Sequence, residues 1–196
     1  MQTVNPIREI RKIEDIKKLI GNKRNLLLFV MGINTALRIS DLLRLTLGDV
    51  VNGQGQIRPA IALKEKKTGK TKEFPLNTAI KQAIKDYLDD RRSNARLDEQ
   101  KKTAPDSPLF LSRKGNRAIS REQAWEILHS LGERVGLSKI GTHSLRKTFG
   151  YQVYQRSGKD IGLVQKLLNH SSSGDTLRYI GITREQLDAA YLELNL

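Results

Sequence analysis

The run Leu26-Leu27-Leu28-Phe29-Val30-Met31, set within Arg24–Ala36, constrains the fold more than any other feature. A helix that is apolar around most of its circumference has to be covered on several sides, so this segment is predicted as a central, largely buried helix. It is far shorter than the roughly 18–20 apolar residues that cross a bilayer. The elements around it carry their own start and stop signals. Ile13–Ile20 reads as a short amphipathic helix stopped by Gly21-Asn22, and Ile39–Leu45 as another, stopped near Gly48. Asn77 is placed to cap a helix to about Arg92, with Ile80, Ile84, Tyr87 and Leu88 on one face. Ser120-Arg-Glu-Gln123 has capping-box spacing and opens a helix to about Val135; Thr183-Arg-Glu-Gln186 opens the last one. Further helices are predicted over Ser144–Arg156, Asp160–Leu168 and Asp175–Tyr179. The pattern changes between Gln56 and Leu76, where Ile57, Ala60, Ile61 and Leu63, then Phe74-Pro75-Leu76, flank a Lys-Thr-Gly turn; two short strands joined there are expected. Leu109-Phe110-Leu111 is read as a third small strand, and Ser93–Ser107 as a surface loop. The fold class is α+β, mostly α, helical with a small antiparallel β-sheet.

At 196 residues the chain is long enough for one domain with a real core. Its 35 Lys and Arg stand against 21 Asp and Glu, leaving a formal charge of +14. So strong a positive field points to a polyanionic partner, nucleic acid before an anionic membrane surface. The absence of cysteine removes disulfides, thiolate metal sites and cysteine nucleophiles together. With His129, His143 and His170 as the three histidines, a histidine-rich metal site is not expected, nor is a cofactor. Met1–Lys12 mixes apolar and charged residues without the continuous apolar stretch of a secretory signal. A cytoplasmic, nucleoid-associated chain is expected.

The charge is unevenly placed. Lys64, Lys66, Lys67, Lys70 and Lys72 crowd the hairpin; Arg113, Lys114 and Arg117 crowd the turn after Leu111. Both groups suit a phosphate backbone, although solvated lysines also guard edge strands against aggregation. Arg38 differs, because it follows a long apolar stretch in Asn34-Thr-Ala-Leu-Arg-Ile-Ser-Asp41. A guanidinium so placed is costly unless paired. Asp41, three residues on, offers an ion pair; an anion held in a cleft by the planar fork is the other reading. In Gly141-Thr-His-Ser-Leu-Arg-Lys-Thr148, His143 and Arg146 share one side of a helix start, a plausible phosphate site. His170 then sits in a turn after an apolar helix, followed by Ser171–Gly174 and Tyr179. Tyr87, Tyr151 and Tyr154 fall on amphipathic helices and Tyr191 on an apolar stripe, whereas Tyr179 lies between a Ser/Gly loop and Gly181. Ordinary half-buried packing is the alternative for Tyr179, and His129 after Trp125 reads as structural.

In chain order these pieces resemble the catalytic domain of the tyrosine recombinases, the phage integrase family. Ala36-Leu-Arg38-Ile-Ser-Asp41 looks like the family's first arginine box, and Lys66-Lys67-Thr68-Gly69 followed by Phe74-Pro75-Leu76 like its hairpin lysine motif. His143-Ser-Leu-Arg146 is similar to the His-x-x-Arg box. Leu168-Asn-His170, with Tyr179 nine residues later, resembles the closing boxes, although Asn169 stands where glycine is usual. The resemblance runs from about Ile13 onward, leaving 1–12 as an arm, 13–182 as the catalytic domain and 183–196 as a C-terminal helix. Typical members carry a core-binding domain of about one hundred residues ahead of the first box. Here some 25 residues precede Leu26: if Met1 is the natural start the chain resembles the short members such as fimbrial-switch invertases, and if the sequence is a piece of a longer protein that domain would lie ahead of it.

The resemblance implies strand exchange on double-stranded DNA through a 3′-phosphotyrosine, without ATP or metal. Tyr179 would be the nucleophile, with Arg38, Arg146 and His170 on the phosphate oxygens, Lys67 protonating the leaving 5′-oxygen and His143 assisting the tyrosine. Asp41 would orient Arg38. Nearby guanidiniums are expected to favour the phenoxide. The stripe Leu187, Ala190, Tyr191 and Leu194 would dock on a neighbouring protomer in a tetramer, or else pack on its own domain. The competing readings are a non-catalytic basic helical DNA-binding regulator and a topoisomerase IB-like DNA relaxer; association with a membrane is the weakest.

Overall fold

Asn22 starts the central helix: its side chain accepts the Asn25 backbone N–H at 3.1 Å, satisfying a donor that the first turn leaves orphaned. The computed structural model describes residues 4–67, 69–93, 104–181 and 184–194. The elements in chain order are α1 (Ile10–Leu19), α2 (Lys23–Asn34), α3 (Ile39–Leu42), α4 (Leu47–Val50), β1 (Ala60–Lys64), β2 (Thr71–Pro75), α5 (Thr78–Ser93), α6 (Arg121–Arg134), α7 (Thr142–Arg156), α8 (Ile161–Leu168), α9 (Ser173–Ile180) and α10 (Arg184–Glu193). The mostly helical architecture and the small antiparallel sheet agree with the sequence reading. None of the described helices is long and apolar enough to cross a membrane.

Helix α2 is the axis, packed on α5 and α7. Leu27, Leu28, Val30 and Met31 join a core with the hairpin, α5 and Leu109-Phe110. Phe29 joins a second core with Ile13, Ile16, Leu128, Leu131 and Leu145 from α1, α6 and α7. Gly32 permits the close α2–α7 approach, since a Cβ there would meet the Leu145 side chain at 2.3 Å. A third, smaller core of Ala36, Val164, Leu168 and Ile180 seats α8 and α9 on α7. There Gly150 allows Leu168 and Ile180 to approach, each within about 3.2 Å of where a Cβ would stand. Leu37 and Ile39 belong to the first core and Ala36 to the third, so the loop carrying Arg38 is anchored on both flanks.

Strands β1 and β2 pair antiparallel with Ala60 opposite Pro75 and Lys64 opposite Thr71. Ile61 and Phe74 lie opposite each other on the buried face, which fixes the register. The expected third strand does not form among the described residues. Pro108 and Leu111 make isolated bridges to Thr46 and Ala118, while Leu109 and Phe110 are buried. The helix expected over Ile39–Leu45 ends at Leu42, and α4 follows as a separate turn. At its start the Asp49 carboxylate reaches back to accept the Thr46 backbone N–H at 2.8 Å and the Thr46 hydroxyl at 2.9 Å. Asn77 and Ser120 cap as read, accepting from Ile80 and Gln123. The expected Thr183 cap and most of the Ser93–Ser107 loop lie outside the described residues.

Candidate active site

Arg146 is the centre of the site. It lies one turn into α7, is 3% exposed, and its two terminal nitrogens donate to the carbonyls of Ala36 and Leu168. A buried guanidinium needs such partners, because losing water around a fixed charge costs several kcal/mol. The Ala36 carbonyl is presented by a left-handed backbone at φ 56°. The Leu168 carbonyl is the last of α8, whose C-cap Asn169 is also left-handed, at φ 51°. Asparagine tolerates that conformation better than other side chains, which accounts for its replacing glycine. Arg38, the N-cap residue of α3, lines the same cleft as Arg146.

Behind the two arginines stands Glu65, 1% exposed at the end of β1. Its Oε1 is 3.2 Å from Arg38 Nη1 and 3.9 Å from Arg146 Nη1, and its Oε2 accepts from Asn169 Nδ2 at 3.4 Å. In front of them opens a cleft of about 540 Å³ lined by Arg38, Arg146, Lys67, His143, His170 and Tyr179, with Lys147, Asn169, Ser171, Asp175 and Arg178 at its margins. Tyr179 lines this cleft beside Arg146 of its own chain, whose charge acts on its phenol. Its ring meets His170 edge-on at 4.9 Å between centroids, and the Lys147 ammonium lies 5.4 Å from the ring centre. His170 Nδ1 engages the Thr176 hydroxyl at 3.1 Å, so one ring nitrogen is oriented by α9 itself.

Burial pushes the Tyr179 phenol above its ordinary value; the charges of Arg146 and Arg38 pull it down without overcoming that. The phenol is therefore protonated at neutral pH; the guanidiniums do favour the phenoxide, as expected, but burial outweighs them. His143 is held below its ordinary value by partial burial and by the field of Arg121, Arg146, Lys147 and Arg38. His170 is lowered by burial first and then by Arg146, with Asp175 opposing. Both imidazoles are neutral near pH 7 and can act as bases or neutral hydrogen-bonding groups. Among the described residues, no group of three or more His, Cys, Asp or Glu is arranged to hold a metal ion.

The phage integrase family matches residues 7–186. The chain belongs to that family. It is 42% identical over 193 residues to the probable integrase/recombinase YoeC of Bacillus subtilis (strain 168), covering 97% of both chains. It is 33% identical over 152 residues to the tyrosine recombinase XerC of Herpetosiphon aurantiacus, where the match covers 78% of this chain and 46% of that one. The chain thus spans nearly all of YoeC but about half of XerC. Among solved structures, XerA recombinase superposes with a TM-score of 0.70 at 22% identity, covering 100% of this chain and 67% of that one. The fold is that of a tyrosine recombinase catalytic domain.

The six residues expected from the integrase boxes all line this one cleft. Three other placements differ from expectation. Asp41 does not pair with Arg38; its Oδ1 accepts the Lys66 backbone N–H at 2.9 Å and so holds the hairpin turn. The ion pair of Arg38 goes to Glu65 instead. Lys72 does not project outward with the other hairpin lysines: it donates to the Leu167 carbonyl at 2.9 Å, and burial pushes it down to about 8. Lys64, Lys66, Lys67 and Lys70 are exposed, as are Arg113, Lys114 and Arg117. His129 is structural as read, stacked on Trp125 at 4.6 Å.

Sequence reasoning missed Glu65 and Lys147. Glu65 sits alone among lysines in Lys64-Glu65-Lys66-Lys67, where an acid reads as a local surface counter-charge. Its placement two residues before the box lysine was the available signal. Lys147 directly follows the box arginine and had no local feature to separate it from the other basic residues.

Proposed function

We propose that the chain is a site-specific DNA recombinase that breaks and rejoins strands through a 3′-phosphotyrosine link. The observation carrying this reading is that Tyr179 lines one cleft with Arg38, Arg146, Lys67, His143 and His170 of its own chain. The Tyr179 oxygen attacks the scissile phosphorus while the bond to the 5′-oxygen breaks. The phenol proton passes to His143, and the departing 5′-oxygen takes a proton from Lys67. Because one phosphoester replaces another, the bond energy is kept and no nucleotide cofactor is consumed. Arg38 and Arg146 carry fixed positive charge to the non-bridging oxygens, where negative charge grows in the transition state, and His170 adds a hydrogen bond. A 5′-hydroxyl from another strand reverses the step on a new partner.

Double-stranded DNA is the proposed partner. The exposed Lys64, Lys66 and Lys70 on one side and Arg113, Lys114 and Arg117 on another would hold its phosphates. Helix α10 exposes Tyr191 (81%) and Leu192 (84%), with Leu194 (67%) exposed just beyond its end, and we propose that this segment seats on a neighbouring copy within a tetramer. The side chains of Leu187 and Ala190 lie outside the described residues.

The test is a nicked duplex that traps the covalent product, run on a denaturing gel. The wild-type chain is expected to form a protein–DNA adduct, and Tyr179→Phe to form none while still binding duplex. An adduct undiminished in that variant would reassign the nucleophile. Relaxation of supercoiled plasmid without regard to sequence would instead favour a topoisomerase-like activity.

A further inference from the structure

Two buried or half-buried guanidiniums facing the same cleft repel each other, and the charge of Arg38 acts on Arg146 in this site. Before DNA arrives no substrate phosphate offsets that repulsion. Glu65 is the group placed to do so. It is 1% exposed, reaches both arginines through one oxygen, and its other oxygen accepts from Asn169 on the α8 turn. Asn169 flanks both the Leu168 carbonyl that Arg146 grips and His170. Glu65 is absent from the residues that line the cleft, so it stands on the core side of the arginines and the phosphate's side stays open. A carboxylate in the cleft would compete with substrate, whereas one behind the pair orders it.

Resting on the recombinase reading above, we infer that Glu65 is a positioning residue for cleavage, a permanent counter-ion that holds Arg38 and Arg146 in the spacing the transition state needs. The fixed −1 leaves the pair with a net charge that one phosphate monoanion matches. Preorganised donors stabilise developing charge because nothing has to reorganise during reaction, and small misplacement forfeits much of that.

The experiment measures single-turnover cleavage at saturating nicked duplex for the wild-type, Glu65→Gln and Glu65→Asp proteins, below the melting temperature of each. Two substrates are compared, one with an ordinary scissile phosphodiester and one with a neutral methylphosphonate there. Glu65→Gln is expected to slow phosphodiester cleavage by about 10- to 100-fold, with Glu65→Asp in between. DNA affinity should be unchanged or tighter, because the charge deleted is negative. The defect should shrink on the methylphosphonate, whose neutral linkage draws less on the arginines. Wild-type rates in Glu65→Gln, or an equal defect on both substrates, would overturn the inference, the second by showing a general structural role. If Glu65→Gln does not fold, Glu65→Asp carries the same two-substrate comparison, and an equal defect on both overturns the inference again. Failure of the wild-type chain to form any adduct would remove the recombinase reading, and this inference with it. A wild-type adduct with an indifferent Glu65 removes this inference alone.

Discussion

The two sides of the cleft are built differently. On one, Arg38, Arg146 and Glu65 are locked by ion pairs and backbone carbonyls. On the other, Lys67 sits exposed on the hairpin turn, His143 exposed in the first turn of α7, and Tyr179 on the eight-residue α9, whose start and the two residues before it are exposed. The contrast matches what each side has to do. Groups that stabilise charge work best when fixed in advance, whereas a nucleophile and a proton donor must follow the strand they act on. Fixing the arginines ties the chemistry of one side to the stability of the fold. Lys67, exposed on its turn, is free of that tie, and Tyr179, half-buried against the third core, stands between the two.

The sharpest way to break this comparison is to truncate one residue from each side. Arg146→Ala should slow cleavage by about 10²- to 10³-fold or more, since it removes donors to the transition state. It should also destabilise the fold by about 3 kcal/mol, because Glu65 stays buried with one guanidinium fewer and two carbonyls lose their donor. Lys67→Ala should cost about 10²- to 10⁴-fold in cleavage with an unchanged melting temperature, since the side chain is exposed. A sulfur at the leaving 5′ position, which departs without a proton, should restore much of that rate. Paired melting curves and trapped-adduct kinetics decide the matter. Equal stability losses in the two variants would erase the distinction between the two sides.

A smaller effect tests the proton path. His143 titrates below its ordinary value, so its basic form persists as pH falls past about 6.5 and is lost only lower. Cleavage should therefore hold through neutrality and decline with a midpoint under about 6.5, and His143→Ala should flatten that limb. The stability consequence has the same sign. Just below pH 6.5 the unfolded chain binds protons that native His143 and His170 refuse, so stability falls as the solution is acidified. An acid limb unchanged in His143→Ala would assign the base elsewhere.

How much of this was legible beforehand depends on how local each signal was. The central helix, the Asn77 and Ser120 caps and the hairpin turn are written within a few residues, and all appear where read. Leu109-Phe110-Leu111 misled because an apolar triplet records burial but not its partners. Here Leu109 donates to the Leu45 carbonyl and Ile119 to that of Phe110, so the backbone is satisfied without a ladder. Helix α4 had a signal in Thr46-Leu-Gly-Asp49, where aspartate stands at the position of the capping-box glutamate or glutamine and accepts the Thr46 backbone N–H. Glu65 and Lys72 were opaque for another reason. Their partners lie about a hundred positions away, at Asn169 and Leu167, and the lysine-rich neighbourhood suggested solvent. The box residues were recognisable only as an ordered set, because no single one had a local pattern that required a cleft.

The finest probe of the fixed side is Ala36→Gly. Ala36 holds a left-handed backbone at φ 56°, a conformation that costs an L-residue about 1 kcal/mol and glycine nothing. Relief of that strain is opposed by two losses. Glycine loses more backbone freedom on folding, about 0.5–1 kcal/mol, and the deleted methyl packs in the core formed with Val164, Leu168 and Ile180, worth about 0.8 kcal/mol. The sum is a small net destabilisation, under about 1 kcal/mol, in which the melting temperature moves by a few degrees at most. The carbonyl that Arg146 grips belongs to the backbone and survives the substitution. Cleavage should then stay within about twofold of wild type. A tenfold loss with the melting temperature intact would mean that the methyl, through its packing on α8 and α9, sets the aim of the arginine, and the fixed side would then depend on the very helices that carry the nucleophile.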